Sequence, residues 1–118
     1  MKIRISGHGL NIHDYGKIMD NYFTKEDRLD YVIPTIMPRK DRTPRSGKNA
    51  LIYKNSTPQK FEKSVKNALK IIENKKQNHR ILFLDSWNEW GEGSYMEPDL
   101  KFGHGYLNAL KKEIFIDE

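Results

Sequence analysis

Two glutamates stand three positions apart in the stretch Asp85–Asp99, which reads DSWNEWGEGSYMEPD. Gly91 lies between Glu89 and Glu92, and a further glycine follows them. Because glycine relaxes the backbone, a turn here can bring both carboxyl groups into one small volume. Paired carboxyl groups in different environments supply the acid and the base or nucleophile of glycoside cleavage. The spacing therefore predicts a catalytic pair for sugar chemistry.

The side chains around this pair fit a sugar ligand. Trp87 and Trp90 offer flat apolar faces for a pyranose ring and N–H groups that donate hydrogen bonds, and Asn88 adds an amide that both donates and accepts. The residues leave two other interpretations open. The acids could be solvated beside core tryptophans, or oxygen ligands could hold a cation. That cation site, which we favour less, would use carboxylates whose spacing matches no known metal loop: Glu89, Glu92, Glu97 and Asp99.

An apolar run, Ile81–Leu84, directly precedes this loop. A short apolar run bounded by polar residues predicts a strand buried on both faces, and such strands belong to parallel sheets covered by helices. The loop then follows the carboxyl end of a strand, where ligands bind in open α/β sheets and in β/α barrels.

The remaining elements alternate between helices and strands. We expect a short strand at 1–6, a helix over 12–23 with Asn11 as its N-cap and a strand over 31–37. A long loop over 38–56 with a brief extended piece at 50–53, a helix over 58–75 and a final helix from Tyr106 should follow. Alternation of this kind predicts an α/β fold of parallel βα units. A whole (β/α)8 barrel takes about 250 residues, so this chain of 118 residues is expected to supply only part of a barrel, with 1–118 as one incomplete domain.

Composition restricts the other function classes. The net charge of +5 raises the question of nucleic acid. The cations are spread along the chain, however, and the lysines within 60–76 are spaced like the solvated face of a helix, so we interpret the charge as mostly solubility. The chain has no cysteine, which excludes disulfides and thiolate metal sites. It contains no apolar stretch long enough to span a bilayer, and we expect a cytoplasmic protein without cofactor or metal.

A basic segment follows the strand predicted over 31–37. Asp41, Arg42 and Arg45 could line the same carboxyl-end face as Glu89, where arginine suits a sugar phosphate or a carboxylated sugar. A solvated loop is the equal alternative.

Three segments together resemble a known family. SWNEWGEGSYMEPD, followed by Phe102-Gly103 and Tyr106-Leu107, resembles the signature of the glycoside hydrolase family 99-like domain, also called the glycosyltransferase WbsX-like family of bacterial surface-polysaccharide loci. DRTPR at 41–45 and STPQKF at 56–61 resemble that family's Asp-Asn-Thr-Pro-Arg and Thr-Pro-x-x-Phe elements. Arg42 stands where the family usually has asparagine.

The resemblance implies a (β/α)8 barrel that acts on carbohydrate, as an oligosaccharide or a lipid-linked sugar, in the synthesis of O-antigen or capsule. In the related endo-α-mannosidases the first glutamate of the motif is the base that assists attack through the 2-hydroxyl, and the second is the general acid; by position these are Glu89 and Glu92. The expected substrate-binding residues are Trp87, Asn88, Trp90, Tyr95, Glu97, Asp41 and Arg45.

The resemblance also implies that barrel strands should precede this chain, so that 1–118 is the C-terminal part of the family's barrel domain. We therefore expect a truncated form that is weakly active or inactive alone, and whose open sheet edges favour self-association. A non-catalytic carbohydrate-binding remnant is the main alternative. A basic nucleic-acid binder is the lesser one, and it requires a patch formed by Arg39, Lys40, Arg42, Arg45 and Lys48.

Overall fold

The computed structural model describes residues 11–115, and this part of the chain is mixed α/β. Its strands are β1 (Asn11–Asp14), β2 (Thr35–Ile36), β3 (Lys40–Asp41), β4 (Leu51–Lys54), β5 (Phe83–Leu84), β6 (Asn88–Glu89) and β7 (Ser94–Tyr95). Its α-helices are α1 (Tyr15–Asp20), α2 (Thr43–Ser46), α3 (Pro58–Ile72) and α4 (Gly105–Ile114). Single 3-10 turns lie at Lys25–Arg28, Gly47–Asn49, Gln77–His79 and Trp90–Glu92. None of the helices described is long and apolar enough to cross a membrane.

The strands form three small sheets. β1 runs parallel to β4, with Asn11 opposite Leu51, and β3 pairs with β4 on its other side in antiparallel register. β2 and β5 form a parallel pair in which Thr35 lies opposite Phe83. β6 and β7 form an antiparallel hairpin. In the chain, β5 leads directly into this hairpin, so the hairpin continues from the carboxyl end of a parallel strand.

The core lies between α3, α4 and the β2–β5 pair. α3 begins where predicted because the Thr57 hydroxyl accepts a hydrogen bond from the Lys60 N–H at 3.2 Å and Pro58 takes the first helical position. Phe61 on α3 and Tyr106 on α4 are almost fully buried, and their ring centroids are 5.7 Å apart. The prediction of a final helix from Tyr106 is thus confirmed, and α3 matches its prediction but ends at Ile72.

The helix predicted over 12–23 is wrong at its start. Residues Asn11–Asp14 form a strand instead, and the N-cap of α1 is Asp14, whose carboxylate accepts from the Lys17 N–H at 3.2 Å. Pairing with β4 supplies backbone hydrogen bonds that a local periodicity cannot reveal. β4 confirms the brief extended piece predicted at 50–53, whereas β3 and α2 lie in the part of 38–56 that was expected to be loop.

The strand predicted around Ile81–Leu84 pairs in parallel, as expected, but it is not buried on both faces. Leu82 and Leu84 pack against the core, whereas Ile81 is 44% and Phe83 56% exposed. Successive side chains of a strand point to opposite faces, and in the described residues nothing covers the second face of β5. The strand predicted over 31–37 shortens to Thr35–Ile36, since prolines at 34 and 38 cannot donate to a ladder. The partial barrel stays a prediction, and the predicted strand at 1–6 lies outside the described residues.

Candidate active site

The hairpin of β6 and β7 is fastened to the end of β5 by two serines. The Ser86 hydroxyl donates to the carbonyl of Ser94 at 3.1 Å and accepts from the N–H of Glu89 at 3.0 Å. The Ser94 hydroxyl, which is fully buried, donates to the carbonyl of Asp85. These bonds hold the segment that carries the glutamates against the parallel strand that precedes it.

Gly93 allows the same hairpin to pack closely against β3. Its φ of +60° lies in the left-handed region, which glycine adopts at little cost. A Cβ at this position would lie 2.6 Å from the carbonyl oxygen and 2.7 Å from the nitrogen of Asp41. The hairpin therefore sits so close to β3 that this position has no room for a side chain.

The close approach brings the predicted pair under one arginine. Arg45 Nη1 donates to Glu92 Oε2 at 2.9 Å, and Arg45 Nη2 donates to Glu89 Oε1 at 3.1 Å. Asp41 starts the helix that carries this arginine, since its Oδ1 accepts from the N–H of Thr43 at 2.9 Å and from the Thr43 hydroxyl at 2.7 Å. Both carboxyl groups thus lie within hydrogen-bond distance of a single guanidinium. The sequence predicted that the two carboxyl groups lie close together.

Glu92 is surrounded by cations. The Lys40 side chain is only 9% exposed, and its Nζ lies 3.1 Å from Glu92 Oε1 and 3.7 Å from Asp85 Oδ2. Arg42 Nε lies 3.7 Å from the same Glu92 oxygen. The hydrogen bond from Lys40, helped by the charges of Lys40, Arg42 and Arg45, lowers the pKa of Glu92 below its ordinary value. This environment favours the carboxylate and opposes the protonated form that a general acid requires.

An aromatic wall stands beside the glutamates. The rings of Trp90 and Tyr95 stack with centroids 3.6 Å apart and planes inclined by 14°. Trp90 Nε1 donates to Glu97 Oε1 at 2.7 Å, which fixes the indole within its plane. Although Tyr95 stacks on the indole, the Trp90 side chain remains 45% exposed, so part of it is accessible to a ligand.

Arg39 and Asp99 hold the Tyr95 ring of this wall in place. The guanidinium carbon of Arg39 lies 3.9 Å from the centroid of Tyr95 and 4.0 Å from that of Tyr106. Arg39 Nη1 donates to Asp99 Oδ2 at 2.7 Å, and the Tyr95 hydroxyl donates to the same oxygen at 2.9 Å. Burial acts to raise the pKa of Asp99, but the Phe102 N–H, Arg39 and Tyr95 outweigh it and the pKa is lowered.

A cleft of about 570 Å³ opens in front of the wall. We call it the aromatic cleft; its lining includes Trp90, Tyr95, Phe102, Tyr106, Arg39, Lys40, Asp41, Lys54 and Lys101. A volume of this size suits a sugar-sized ligand. The two glutamates do not line it, although Glu92 contacts Lys40, which does.

The other predicted site residues divide between the cleft and the open surface. Trp90, Tyr95 and Asp41 line the cleft, and Glu97 orients Trp90. Trp87 is 52% exposed, and the Asn88 side chain is also exposed, so neither joins the cleft. The alternative that both tryptophans belong to the core is wrong, because each stands about half exposed.

Four contributing residues were not predicted: Arg39, Lys40, Asp99 and Tyr106. The first two directly precede Asp41 in the sequence, so their position after a predicted strand was an available signal. Asp99 was weighed only as a cation ligand and Tyr106 only as helix core. Their contacts with Arg39 span sixty residues or more of chain and leave no local signal.

The alternative sites that the sequence left open find less support. Within residues 11–115 no group of three or more His, Cys, Asp or Glu side chains is placed to hold a metal ion. A free basic patch for nucleic acid is not formed either. Within the described part of the chain, all of its cations except Lys48 have a carboxylate within 3.7 Å: Arg39, Lys40, Arg42 and Arg45.

Comparison with known proteins assigns the family. The model of the family described as glycosyltransferase WbsX matches residues 2–110, and the chain belongs to this carbohydrate-active family. Two curated relatives, both titled uncharacterized protein WxcX, come from two strains of Xanthomonas campestris pv. campestris and are 30% identical over 87 residues. That match covers 72% of this chain and 12% of each relative, so the chain spans a small part of their length. No solved structure matches the chain.

Proposed function

We propose that this chain is part of a carbohydrate-active enzyme of bacterial surface-polysaccharide synthesis, of the glycoside hydrolase or glycosyltransferase type, which acts through Glu89 and Glu92. The observation that carries the proposal is the juxtaposition on one hairpin of a carboxylate pair and an aromatic wall. Arg45 joins the two carboxylates at 2.9 and 3.1 Å, and Trp90 between them stacks on Tyr95. Membership of the WbsX family supports a sugar as the substrate.

The two glutamates have different surroundings, as a pair with divided roles requires. The Glu89 side chain is 41% exposed and that of Glu92 is 23% exposed. Glu89 is thus the more accessible carboxylate and suits the base that takes a proton from a substrate hydroxyl. Glu92 can protonate a leaving oxygen only after its ion pairs with Arg45 and Lys40 weaken, because both cations favour its ionised form.

We propose further that the chain works as the C-terminal part of a (β/α)8 barrel. The parallel β2–β5 pair and the position of the hairpin after β5 support this arrangement. The exposed Ile81 and Phe83 side chains on the uncovered face of β5 suit a strand that packs against further elements. Two catalytic carboxyl groups that lack surrounding support are not held in their catalytic geometry, and a displacement of about 1 Å can cost roughly a hundredfold in rate. We therefore propose weak activity for the chain alone.

The test compares the chain alone with the chain fused behind the N-terminal part of a WbsX-family relative, on a panel of oligosaccharides and lipid-linked sugars. We expect turnover by the fusion, abolished by Glu89→Gln and by Glu92→Gln, and little turnover by the chain alone. Strong turnover by the isolated chain would contradict the proposal that the two carboxyl groups need further barrel strands for activity. Turnover by neither form, with folding verified by circular dichroism, would count against the enzyme.

One observation favours a second candidate, a carbohydrate-binding protein without catalysis. The aromatic cleft is built without either glutamate, so it can hold a sugar whether or not the pair is active. Sugar binding that persists in a Glu89→Gln, Glu92→Gln double variant, with no turnover by any form of the wild type, would favour this candidate over the enzyme.

A further inference from the structure

We infer that the aromatic cleft takes an anionic glycan, one whose sugar carries a phosphate or carboxylate, in preference to a neutral one. The inference rests on the proposed function and names its substrate class. Four cations and two carboxylates line the cleft: Arg39, Lys40, Lys54, Lys101, Asp41 and Asp99.

The two inner cations are already neutralised. Arg39 donates to Asp99 at 2.7 Å, and the buried Lys40 lies within ion-pair distance of Glu92 and Asp85. Because carboxylates already balance their charges, these two cations line the cleft without adding to the net charge that a ligand meets.

In the part of the chain that the structure describes, the two outer cations are not paired with carboxylates, although the Lys101 ammonium lies 5.2 Å from the centroid of the Phe102 ring. Lys54 at the end of β4 and Lys101 before α4 are exposed, and among residues 11–115 neither has a carboxylate within ion-pair distance. They come from segments forty-seven residues apart, yet both line the same cleft. Asp41 is the opposing charge, and one of its oxygens already accepts two hydrogen bonds from Thr43. The accessible charge of the cleft is therefore positive.

The aromatic wall supplies the second half of the recognition. A sugar ring can pack on the exposed part of the Trp90 indole, which lines the cleft together with Lys101. An anionic substituent on that ring would then lie near the two lysines that have no carboxylate partner among the described residues. An exposed charge pair contributes up to about 1 kcal/mol, which is roughly a fivefold change in affinity. We expect about that preference from each lysine.

The experiment measures binding to matched pairs of glycans that differ only in charge. The probes are oligogalacturonate and its methyl ester, yeast phosphomannan and its dephosphorylated form, and phosphorylated and plain dextran, with affinity measured by calorimetry. The expected result is tighter binding of the anionic member of at least one pair. The preference should fall about fivefold in Lys54→Ala and in Lys101→Ala, and it should disappear near 1 M salt, where charges are screened beyond about 3 Å.

Two control variants separate this site from general attraction to polyanions. Lys66→Ala removes an exposed cation of α3 that does not line the cleft, and it should leave the preference unchanged. Trp90→Ala should abolish binding of both members of a pair. Anion binding that survives Trp90→Ala, or falls equally in Lys66→Ala, would overturn the inference as non-specific attraction.

The remaining outcomes distinguish the inference from the function beneath it. Equal binding of charged and neutral members, lost in Trp90→Ala, would overturn the anionic preference and leave the sugar site standing. Binding of no glycan in any pair would overturn the inference and count against the proposed function as well.

Discussion

Replacing Gly93 by alanine tests whether the hairpin is seated on β3 as closely as the structure indicates. A left-handed alanine costs about 1–2 kcal/mol relative to an ordinary backbone conformation. The added Cβ would also lie 2.6 Å from the Asp41 carbonyl oxygen, and forcing an extra carbon into a packed site costs about 1–3 kcal/mol. Together these terms predict a loss of about 2–5 kcal/mol in the free energy of unfolding.

Gly103 provides the matched control. Its φ of +54° is close to that of Gly93, but a Cβ there would meet nothing within 4 Å. Gly103→Ala should therefore lose only the backbone part, about 1–2 kcal/mol. The difference between the two variants isolates the contact with β3.

Urea unfolding followed by circular dichroism measures both free energies, and thermal unfolding provides a second measure at about 4 °C per kcal/mol for a domain of this size. The m-value should stay unchanged in both variants, because neither changes the surface exposed on unfolding. Equal losses in the two variants would refute the close seating of the hairpin, and with it the geometry that places Glu92 beside Lys40.

Three further predictions concern the charged groups of the site. Asp99→Asn leaves the guanidinium of Arg39 without its carboxylate between two rings, and we expect a loss of about 3 kcal/mol in urea unfolding; a loss below about 1 kcal/mol would contradict the supporting role. The pKa of Glu92 is lowered from 4.5 in the folded protein, so its carboxylate stabilises the fold above pH 4.5 and that contribution is lost as pH falls through the folded pKa. Urea titrations between pH 7 and 3 should therefore show a steeper acid loss in the wild type than in Glu92→Gln, and parallel curves would contradict this. Arg45→Ala breaks exposed ion pairs and should cost less than about 1 kcal/mol, whereas a larger loss would show that the pair is structural.

The sequence predicted those parts of the fold whose signals are local. α3 has a threonine cap, a proline at its first position and an apolar stripe, and each acts within one or two turns. The parallel pairing of β5 also followed from a short apolar run. The mutual approach of Glu89 and Glu92 needed only a glycine in the intervening turn, and it too was predicted.

The parts that sequence could not predict depend on contacts between distant segments. β1 carries residues at helical spacing but pairs with β4, forty residues away. Lys40 was weighed only as a surface cation, yet it is buried because the hairpin closes over it with Glu92 and Asp85 as partners. The exposed face of β5 was missed because an apolar run alone does not tell which of its two faces is covered.

The turn Trp90–Glu92 joins the two halves of the candidate site. Its first residue presents an aromatic face to the cleft and its last residue is the carboxylate held by Lys40 and Arg45. Only Gly91 separates them, and Gly93 fastens the turn to β3. A ligand that contacts Trp90 in the cleft therefore lies close along the chain to Glu92, which contacts the cleft-lining Lys40.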